Sequence, residues 1–273
     1  MRNIIISSAL FCNHCQRDSW HKNELDLNMK SSTQKIHIGC SGFYNADWKG
    51  SLYPEDAENK DFLKLYSGVY NTVEINSTFY RKPTAKTLQK WKDETPEDFR
   101  FFIKVPKTIS HSGYSENKRE AVETFCQYIK DHIESKLAGF LIQFPASFHC
   151  TEDNMRWLIE TLPEKVTLAV EFRHASWWND EIFDLFKKHH WIFCGVSFSS
   201  KLSEDVIMTH PDIGYYRLHG RPVLYKSLYS KEFLDHLGEE IRAADRDFYV
   251  MFNNSWGTAA VENSLYIKKI LKS

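Results

Sequence analysis

The chain has almost no net charge and no long apolar run. Its 273 residues carry 35 lysines and arginines against 36 aspartates and glutamates, which gives a formal net charge of −1. A near-neutral chain has no global basic field to attract nucleic acid, so a nucleic-acid role would require a local basic patch. No run approaches the roughly 18 consecutive apolar residues that a membrane-spanning helix needs. We therefore expect no membrane partner.

Closely spaced cysteines are also scarce. Of the six cysteines, only Cys12 and Cys15 lie near each other in the sequence. In a chain of this length, such a distribution is typical of buried or unpaired thiols rather than of a disulfide framework. The cysteine pattern therefore predicts a reducing compartment, and we expect a cytoplasmic location.

The first 34 residues lack the periodicity of the remainder. After a short apolar start, residues 1–34 are polar and show neither a helical nor a strand repeat, which predicts a disordered extension. The first clear strand opens at Lys35, so the sequence predicts a single domain over residues 35–273. Met29, just before this domain, is the expected natural start of the protein.

Strand and helix patterns alternate along the predicted domain. Eight strand-like runs begin near Ile36, Thr72, Arg100, Gly139, Thr167, Trp191, Tyr215 and Phe248. Apolar stripes at helical spacing predict helices over residues 62–70, 85–91, 116–133, 152–162, 180–189, 231–242 and 258–271. Eight strands at intervals of about 30 residues are typical of βα units, which favours an α/β fold, a (β/α)8 TIM-type barrel. A doubly wound open sheet is the alternative, but no glycine-rich phosphate loop follows the first strand.

Residues 167–178, TLAVEFRHASWW, place opposite charges directly after a buried strand. Glu171 and Arg173 are two residues apart, and because side chains alternate along a strand they share one face. Burying two such charges is costly unless they have a partner or a purpose. The end of this strand is therefore the first candidate for a functional site.

Polar side chains end other strands as well. They are Glu74 and Asn76 after the second strand, Lys104 on the third, Gln143 on the fourth, Arg217 and His219 on the seventh, and Asn253 and Asn254 after the eighth. In barrels and in open α/β sheets, functional residues gather at the carboxyl ends of the strands. The sequence therefore predicts one site that these residues share.

The residue types in this site predict acid–base chemistry on a bound anion. The predicted catalytic residues are Glu74, Glu171, Lys104 and His219, with one of the two glutamates as acid or base. The predicted substrate-binding residues are Asn76, Tyr80, Gln143, Arg173, Trp177, Arg217, Arg221, Asn253 and Asn254. The alternative is a salt-bridge network that only caps the fold, in which Glu74 pairs with Arg217 and Glu171 with Arg173 or Lys104.

Two features favour a phosphate-containing ligand. The loop after the seventh strand, HGRPVLYK, holds Arg221 and Lys226. The eighth helix follows residues 253–255, where unpaired backbone amides point outward. Barrels often bind phosphate at the loops after these two strands. We therefore expect an enzyme, a hydrolase or lyase, acting on a small phosphate-containing substrate.

Other functions are compatible with the same residues. Two carboxylates would also suit a glycoside hydrolase, although cationic neighbours lower the pKa that its acid needs. No cofactor is predicted, but Glu74, Glu171 and His219 could bind a divalent metal in a hydrolase or nuclease, although HxH and HExxH spacings are absent. Arginines and tryptophans could instead serve a nucleotide or nucleic-acid binding protein without catalysis. A purely structural role or a protein partner is a further alternative.

Seven stretches resemble, in order, successive blocks of the YecE-like family, domain of unknown function 72. They read IGCSGFYNADWKG, VEINSTFYRKP, FIKVPKTISH, LIQFPASF, AVEFRHASWW, YYRLHG and FNNSWGTAAVEN. The resemblance covers residues 36–273 and implies a TIM-barrel-like fold, but it brings no settled activity. It implies signature positions at Trp48, Glu74, Asn76, Tyr80, Lys104, Gln143, Glu171, Arg173, Trp177, Arg217, His219, Gly220 and Asn253.

Overall fold

The computed structural model describes residues 34–111 and 118–271, which belong to one compact unit, Gln34–Ser273. The strands are β1 Ile36–Cys40, β2 Thr72–Ile75, β3 Arg100–Lys104, β4 Leu137–Phe144, β5 Leu168–Phe172, β6 Ile192–Phe193, β7 Gly195–Ser197, β8 Ile213–Leu218 and β9 Asp247–Phe252. The helices are α1 Phe62–Ser67, α2 Ala85–Asp93, α3 Lys107–Ser110, α4 Lys118–Ile133, α5 Glu152–Thr161, α6 Asp180–His189, α7 Lys231–Ala243 and α8 Ala259–Leu271. The predicted disordered extension and the expected start at Met29 lie outside the described residues, apart from Gln34.

The strands form two parallel sheets. One has the order β2-β3-β4-β5-β6 and the other the order β1-β9-β8-β7, and every neighbouring pair is parallel. The predicted alternation of strands and helices is confirmed. Residues 198–212, where no helix was predicted, contain none.

The predicted sixth strand is in fact two short strands, so the described residues hold nine strands rather than eight. The backbone changes partner at Cys194: β6 pairs with β5, whereas β7 pairs with β8. The Phe193 amide donates to the Thr209 hydroxyl at 2.8 Å rather than to a neighbouring strand. The continuous apolar run WIFCGV gave no sign of this break.

β1 and β2 approach each other without a ladder of backbone hydrogen bonds in the described part of the chain. The Tyr66 hydroxyl lies between them, accepting from the Cys40 amide at 2.6 Å and donating to the Thr72 carbonyl at 3.0 Å. Gly39 permits this approach, because a Cβ there would lie 2.2 Å from the Thr72 carbonyl oxygen. A buried tyrosine therefore replaces part of the missing ladder.

One apolar cluster takes its residues from both sheets. Its members are Phe102, Leu141, Ala169, Ile192, Cys194, Val196, Leu202, Tyr215, Tyr249 and Met251. Residues two positions further along a strand share the same face, and here they are Lys104 after Phe102, Gln143 after Leu141, Glu171 after Ala169, Arg217 after Tyr215, and Asn253 after Met251. A polar layer therefore lies directly beyond the apolar cluster, at the carboxyl ends of the strands.

A larger apolar cluster packs the helices against the sheets. In α4 the predicted stripe is buried, from Val122 through Phe125 and Ile129 to Ile133. No helix within residues 34–111 and 118–271 is long and apolar enough to cross a membrane. The four cysteines of the described residues are unpaired thiols, as the sequence predicted, and the cytoplasmic location stays a prediction.

Candidate active site

Arg217 lies at the centre of the polar layer and is almost completely buried, with 1% of its side chain exposed. Its Nη2 and Nε atoms donate to the two carboxylate oxygens of Glu74, at 2.6 and 2.8 Å. Its Nη1 atom donates to Glu171. The Tyr215 hydroxyl also donates to Glu74, at 2.7 Å. One guanidinium therefore joins β2, β5 and β8 through two buried carboxylates.

Glu171 is held from the other side by Arg173 and His219. Arg173 Nε donates to Glu171 Oε1 at 2.8 Å, and His219 Nε2 lies 3.3 Å from Glu171 Oε2. The Asn253 amide nitrogen lies 2.9 Å from His219 Nδ1. Arg217 Nη1, which can only donate, lies 3.3 Å from His219 Nε2, so Nε2 faces both a guanidinium donor and the Glu171 carboxylate. Asn253 and Glu171 thereby hold the His219 ring in place from opposite sides.

The network fixes the charge of each of these groups at neutral pH. Burial, the largest single effect, would raise the pKa of Glu74 and Glu171, but the charge of Arg217 and the other charges and hydrogen bonds around each carboxylate together outweigh it, so the pKa of Glu74 is lowered and that of Glu171 falls well below its usual value. Burial lowers the pKa of His219 to about 4, against the opposing effect of Glu171. Both carboxylates are therefore ionised and the imidazole is neutral.

A cavity of about 500 Å³ opens above this network. It is lined by Asn76, Phe79, Tyr80, Lys104, His111, Gln143, Pro145, Ala146, Arg173, Phe198, Tyr225 and Asn253. The fully buried Glu74, Glu171, Arg217 and His219 do not line it. Six predicted site residues thus face the cavity, while four lie behind it, where Glu171 contacts Arg173 and His219 contacts Asn253.

Lys104 is a buried cation that the network does not neutralise. It is 7% exposed, and its ammonium donates to Gln143 Oε1 at 3.0 Å and lies 4.2 Å from the centre of the Phe79 ring. Within residues 34–111 and 118–271 it forms no ion pair with a carboxylate, whereas Glu171 pairs with Arg173 and Arg217. Burial, followed by the charge of Arg217, lowers the pKa of Lys104 to about 8.

The site therefore has more positive than negative charge. Lys104, Arg173 and Arg217 supply three cations against the two carboxylates of Glu74 and Glu171. Arg173 stacks on the Phe198 ring at 4.3 Å and keeps its terminal nitrogens on the cavity side, where Nη1 lies 3.5 Å from the Tyr225 hydroxyl. A cavity with an uncompensated positive charge favours an anion.

Three predicted binding residues lie away from this cavity. Trp177 is buried, stacks on Phe172 at 4.3 Å and donates its indole N–H to the Phe148 carbonyl at 2.7 Å, so it packs the fold. Arg221 pairs with Glu204 at 2.6 Å. Asn254 is buried and donates to the Ser227 carbonyl at 3.0 Å. None of the three lines the 500 Å³ cavity, and each has a protein partner for at least one polar group, so their contact with substrate stays a prediction from the sequence.

Sequence reasoning missed several residues that line the cavity. Phe79 ends a short 3-10 helix after β2, and Phe198 and Tyr225 lie on loops, where no periodicity or charge pairing marks them. Tyr225 has one signal that only the backbone reveals, a φ of 67° in the left-handed region, which is uncommon for a tyrosine. The cavity walls are therefore set by loop conformation rather than by strand alternation.

The residues considered as metal ligands are occupied by protein partners. Glu74 and Glu171 accept hydrogen bonds from Arg217, and His219 faces Glu171 and Asn253. The described ranges, 34–111 and 118–271, hold no group of three or more histidine, cysteine, aspartate or glutamate side chains placed to bind a metal ion. A divalent metal at this site stays a prediction from the sequence.

Parallel sheets that carry polar residues at the carboxyl ends of their strands define this chain as an α/β protein with a candidate site at that edge. The family model described as "Protein of unknown function DUF72" matches residues 37–273. The chain therefore belongs to the DUF72 family, and the resemblance noted in the sequence is confirmed.

Two curated relatives support this assignment. The UPF0759 protein YunF of Bacillus subtilis is 27% identical over 272 residues, covering 86% of this chain and 94% of that protein. The UPF0759 protein YecE of Escherichia coli K12 is 30% identical over 115 residues, 42% of each chain. Neither name states an activity.

Solved structures agree with the fold. A DUF72 family protein from Thermotoga maritima has a TM-score of 0.77 at 32% identity, covering 88% of this chain and all of that one. A DUF72 family protein from Enterococcus faecalis has a TM-score of 0.76 at 24% identity, covering 87% and 96%. The crystal structure of SacUVDE is similar in fold alone, with a TM-score of 0.52 at 12% identity and coverage of 88% and 98%.

Proposed function

We propose that this protein is an enzyme that acts on a small phosphate-containing substrate in the cavity at the carboxyl ends of the strands. Lys104 carries the proposal. A buried ammonium with one hydrogen-bond acceptor and no carboxylate partner in the described chain is destabilising unless it serves a ligand. An anion in the cavity would supply the missing charge and the missing acceptors.

The proposal assigns a role to the residues that line the cavity and to Arg217 behind it. Lys104 and Arg173 would bind the phosphoryl oxygens, because charge-assisted hydrogen bonds are stronger than neutral ones. Asn76, Gln143 and Asn253 would orient the polar groups of the substrate. Arg217 would act as a positioning residue, because it holds Glu171, which in turn contacts Arg173 and His219.

The geometry favours Lys104 rather than Glu74 or Glu171 for proton transfer. Both glutamates are buried behind the cavity, and hydrogen bonds from Arg217 keep them ionised. Lys104 lines the cavity, and its pKa of about 8 lets both protonation states exist near neutral pH. In a hydrolysis, its ammonium would give a proton to the leaving oxygen, and the resulting amine would take one back from the attacking water.

The proposal is tested by assaying the full chain against a panel of phosphate monoesters and diesters for released phosphate. Lys104→Met should lower kcat by about 100-fold or more, because it removes a proton-transfer group. Arg173→Gln should mainly raise KM, because it removes contacts to the phosphate. Lys60→Gln is the matched control, since Lys60 is exposed and pairs with Glu58 at the surface. Turnover that survives in Lys104→Met would contradict the role given to this residue.

We also infer that the two sheets close into one (β/α)8 barrel. Three observations support closure: β6 runs into β7 through the single residue Cys194, Tyr66 bridges β1 and β2, and one apolar cluster draws on both sheets. In such a barrel the polar layer would form the top of a packed interior.

A further inference from the structure

We propose that the ligand of this cavity is a phosphate with an attached planar ring, that is, a nucleotide unit, and that Tyr80 and Tyr225 hold the ring. The inference rests on the proposed function, because it assigns the phosphate to Lys104 and Arg173. It goes further in naming the chemical class of the substrate and the residues that recognise its other end.

Tyr80 and Tyr225 are the exposed aromatic residues of the cavity wall. Tyr80 follows β2 and is 75% exposed, and Tyr225 follows β8 and is 40% exposed. Both line the same 500 Å³ space as Lys104 and Arg173. Exposed rings beside a cationic pocket are the arrangement that binds phosphate and base together, because every base has a face that can stack on an aromatic side chain.

The other two rings of the wall are already occupied by the cations. Lys104 lies over Phe79 and Arg173 over Phe198, at 4.2 and 4.3 Å from the ring centres. These contacts fix the two cations deep in the cavity. The tyrosines are more exposed than these two rings, although Lys107 Nζ also lies 5.7 Å from the centre of the Tyr80 ring. The cavity is therefore charged at its floor and aromatic at its mouth.

The backbone of Tyr225 is held in an unusual conformation. Its φ of 67° lies in the left-handed region, which costs a non-glycine residue free energy that the surrounding structure must offset. The Tyr225 amide donates to the His219 carbonyl, and its carbonyl accepts from the Trp256 amide at 2.9 Å. The loops after β8 and β9 thus hold the ring at the cavity rather than leaving it mobile.

Asn76 has a buried side-chain acceptor without a partner in the described residues. Its Oδ1 atom is buried and accepts no hydrogen bond from any group in residues 34–111 and 118–271. An acceptor left unpaired beside two cations calls for a ligand that also carries a donor. A ribose hydroxyl or a base N–H supplies this donor, whereas a fully ionised anion such as sulfate does not.

A second cavity indicates where a longer ligand would continue. This groove has a volume of about 650 Å³, shares His111 and Pro145 with the first cavity, and is also lined by Phe148 and Trp157. The nucleotide unit could therefore be a free nucleotide or one unit of a single strand. The formal net charge of −1 favours recognition at this local site over a broad electrostatic footprint.

The experiment is isothermal titration of the full chain with ribose 5-phosphate, adenosine monophosphate and a mixed-sequence single-stranded oligonucleotide. Adenosine monophosphate should bind roughly 5- to 150-fold more tightly than ribose 5-phosphate, which is the range of one stacked base. Tyr80→Ala should remove most of this ratio and leave the affinity for ribose 5-phosphate unchanged. Tyr225→Phe should keep the ratio, because it keeps the ring, and Tyr225→Ala should lose it.

Tyr44→Ala is the matched control, because Tyr44 is 64% exposed on the loop after β1 and does not line the cavity. If the oligonucleotide binds more than tenfold more tightly than adenosine monophosphate, with a steep salt dependence, the ligand is a nucleotide unit within a single-stranded nucleic acid. Equal affinities would identify a free nucleotide. Equal binding of ribose 5-phosphate and adenosine monophosphate would overturn this inference and leave the proposed function standing. Binding of neither would overturn both.

Discussion

Arg217→Leu is expected to destabilise the protein by about 3–5 kcal/mol, because removing one partner of a buried ion pair leaves an uncompensated charge. Without Arg217, the two fully buried carboxylates of Glu74 and Glu171 lose their shared cation. Urea denaturation of wild type and variant at pH 7 measures the difference. If Arg217→Leu cannot be purified in folded form, the free energy of unfolding is measured for Arg217→Lys instead, since this variant keeps the charge and loses the bidentate contact to Glu74.

Two further variants show that the effect belongs to the buried network. Arg119→Leu removes a cation of the same kind from an exposed pair with Glu123 on α4, and should change the free energy of unfolding by less than about 1 kcal/mol. Adding Glu74→Gln to Arg217→Leu should recover part of the lost stability, because it removes one of the two buried charges left without a partner. A loss below 1 kcal/mol for Arg217→Leu would contradict the central position given to this residue.

Lys104→Met is expected to stabilise the unliganded protein at pH 7, by about 1–3 kcal/mol. The folded-state pKa of Lys104 is about 8, against a usual value of 10.5. The unfolded chain therefore binds this proton more strongly, and the destabilisation is fully present below pH 8. It diminishes as the pH rises from about 8 towards 10.5, so the gain from the substitution should shrink at pH 10. Urea denaturation at both pH values tests this.

Lys136→Met is the matched control for a buried lysine. Lys136 is 2% exposed, but its ammonium donates to the carbonyls of Lys92 and Thr95, at 2.7 and 2.6 Å. Its removal leaves those carbonyls unsatisfied and should destabilise the protein. Opposite signs of the change in the free energy of unfolding for Lys104→Met and Lys136→Met would distinguish a cation that binds a ligand from one that stabilises the fold. A destabilised Lys104→Met would show that Lys104 belongs to the second kind.

Strand alternation explains why much of the polar layer could be predicted from the sequence. Glu171 and Arg173 share a face because they are two residues apart on one strand, and the same rule places Lys104 and Gln143 above apolar residues of the interior. The break at Cys194 could not be predicted in this way. Its hydrogen bonds depend on Thr209, which is distant in the sequence.

Pairing between distant residues explains the remaining differences. Arg221 follows a strand end like the other candidates, yet it pairs with Glu204 on another loop, which no spacing rule predicts. Trp177 could have walled a pocket, but it packs on Phe172 instead. The unpaired state of Lys104 was equally hidden, because it depends on Arg173 and Arg217 together satisfying Glu171.

The most direct test of the central claim is the affinity of the full chain for sulfate, measured by isothermal titration between about pH 7 and pH 10. Sulfate keeps its charge over this range, so any change in affinity comes from the protein. If Lys104 binds the anion, the affinity should be constant below its pKa of about 8 and fall towards tenfold per pH unit above it. Lys104→Met should bind weakly and show no such dependence. An affinity that does not change with pH, or equal binding by wild type and Lys104→Met, would contradict the account.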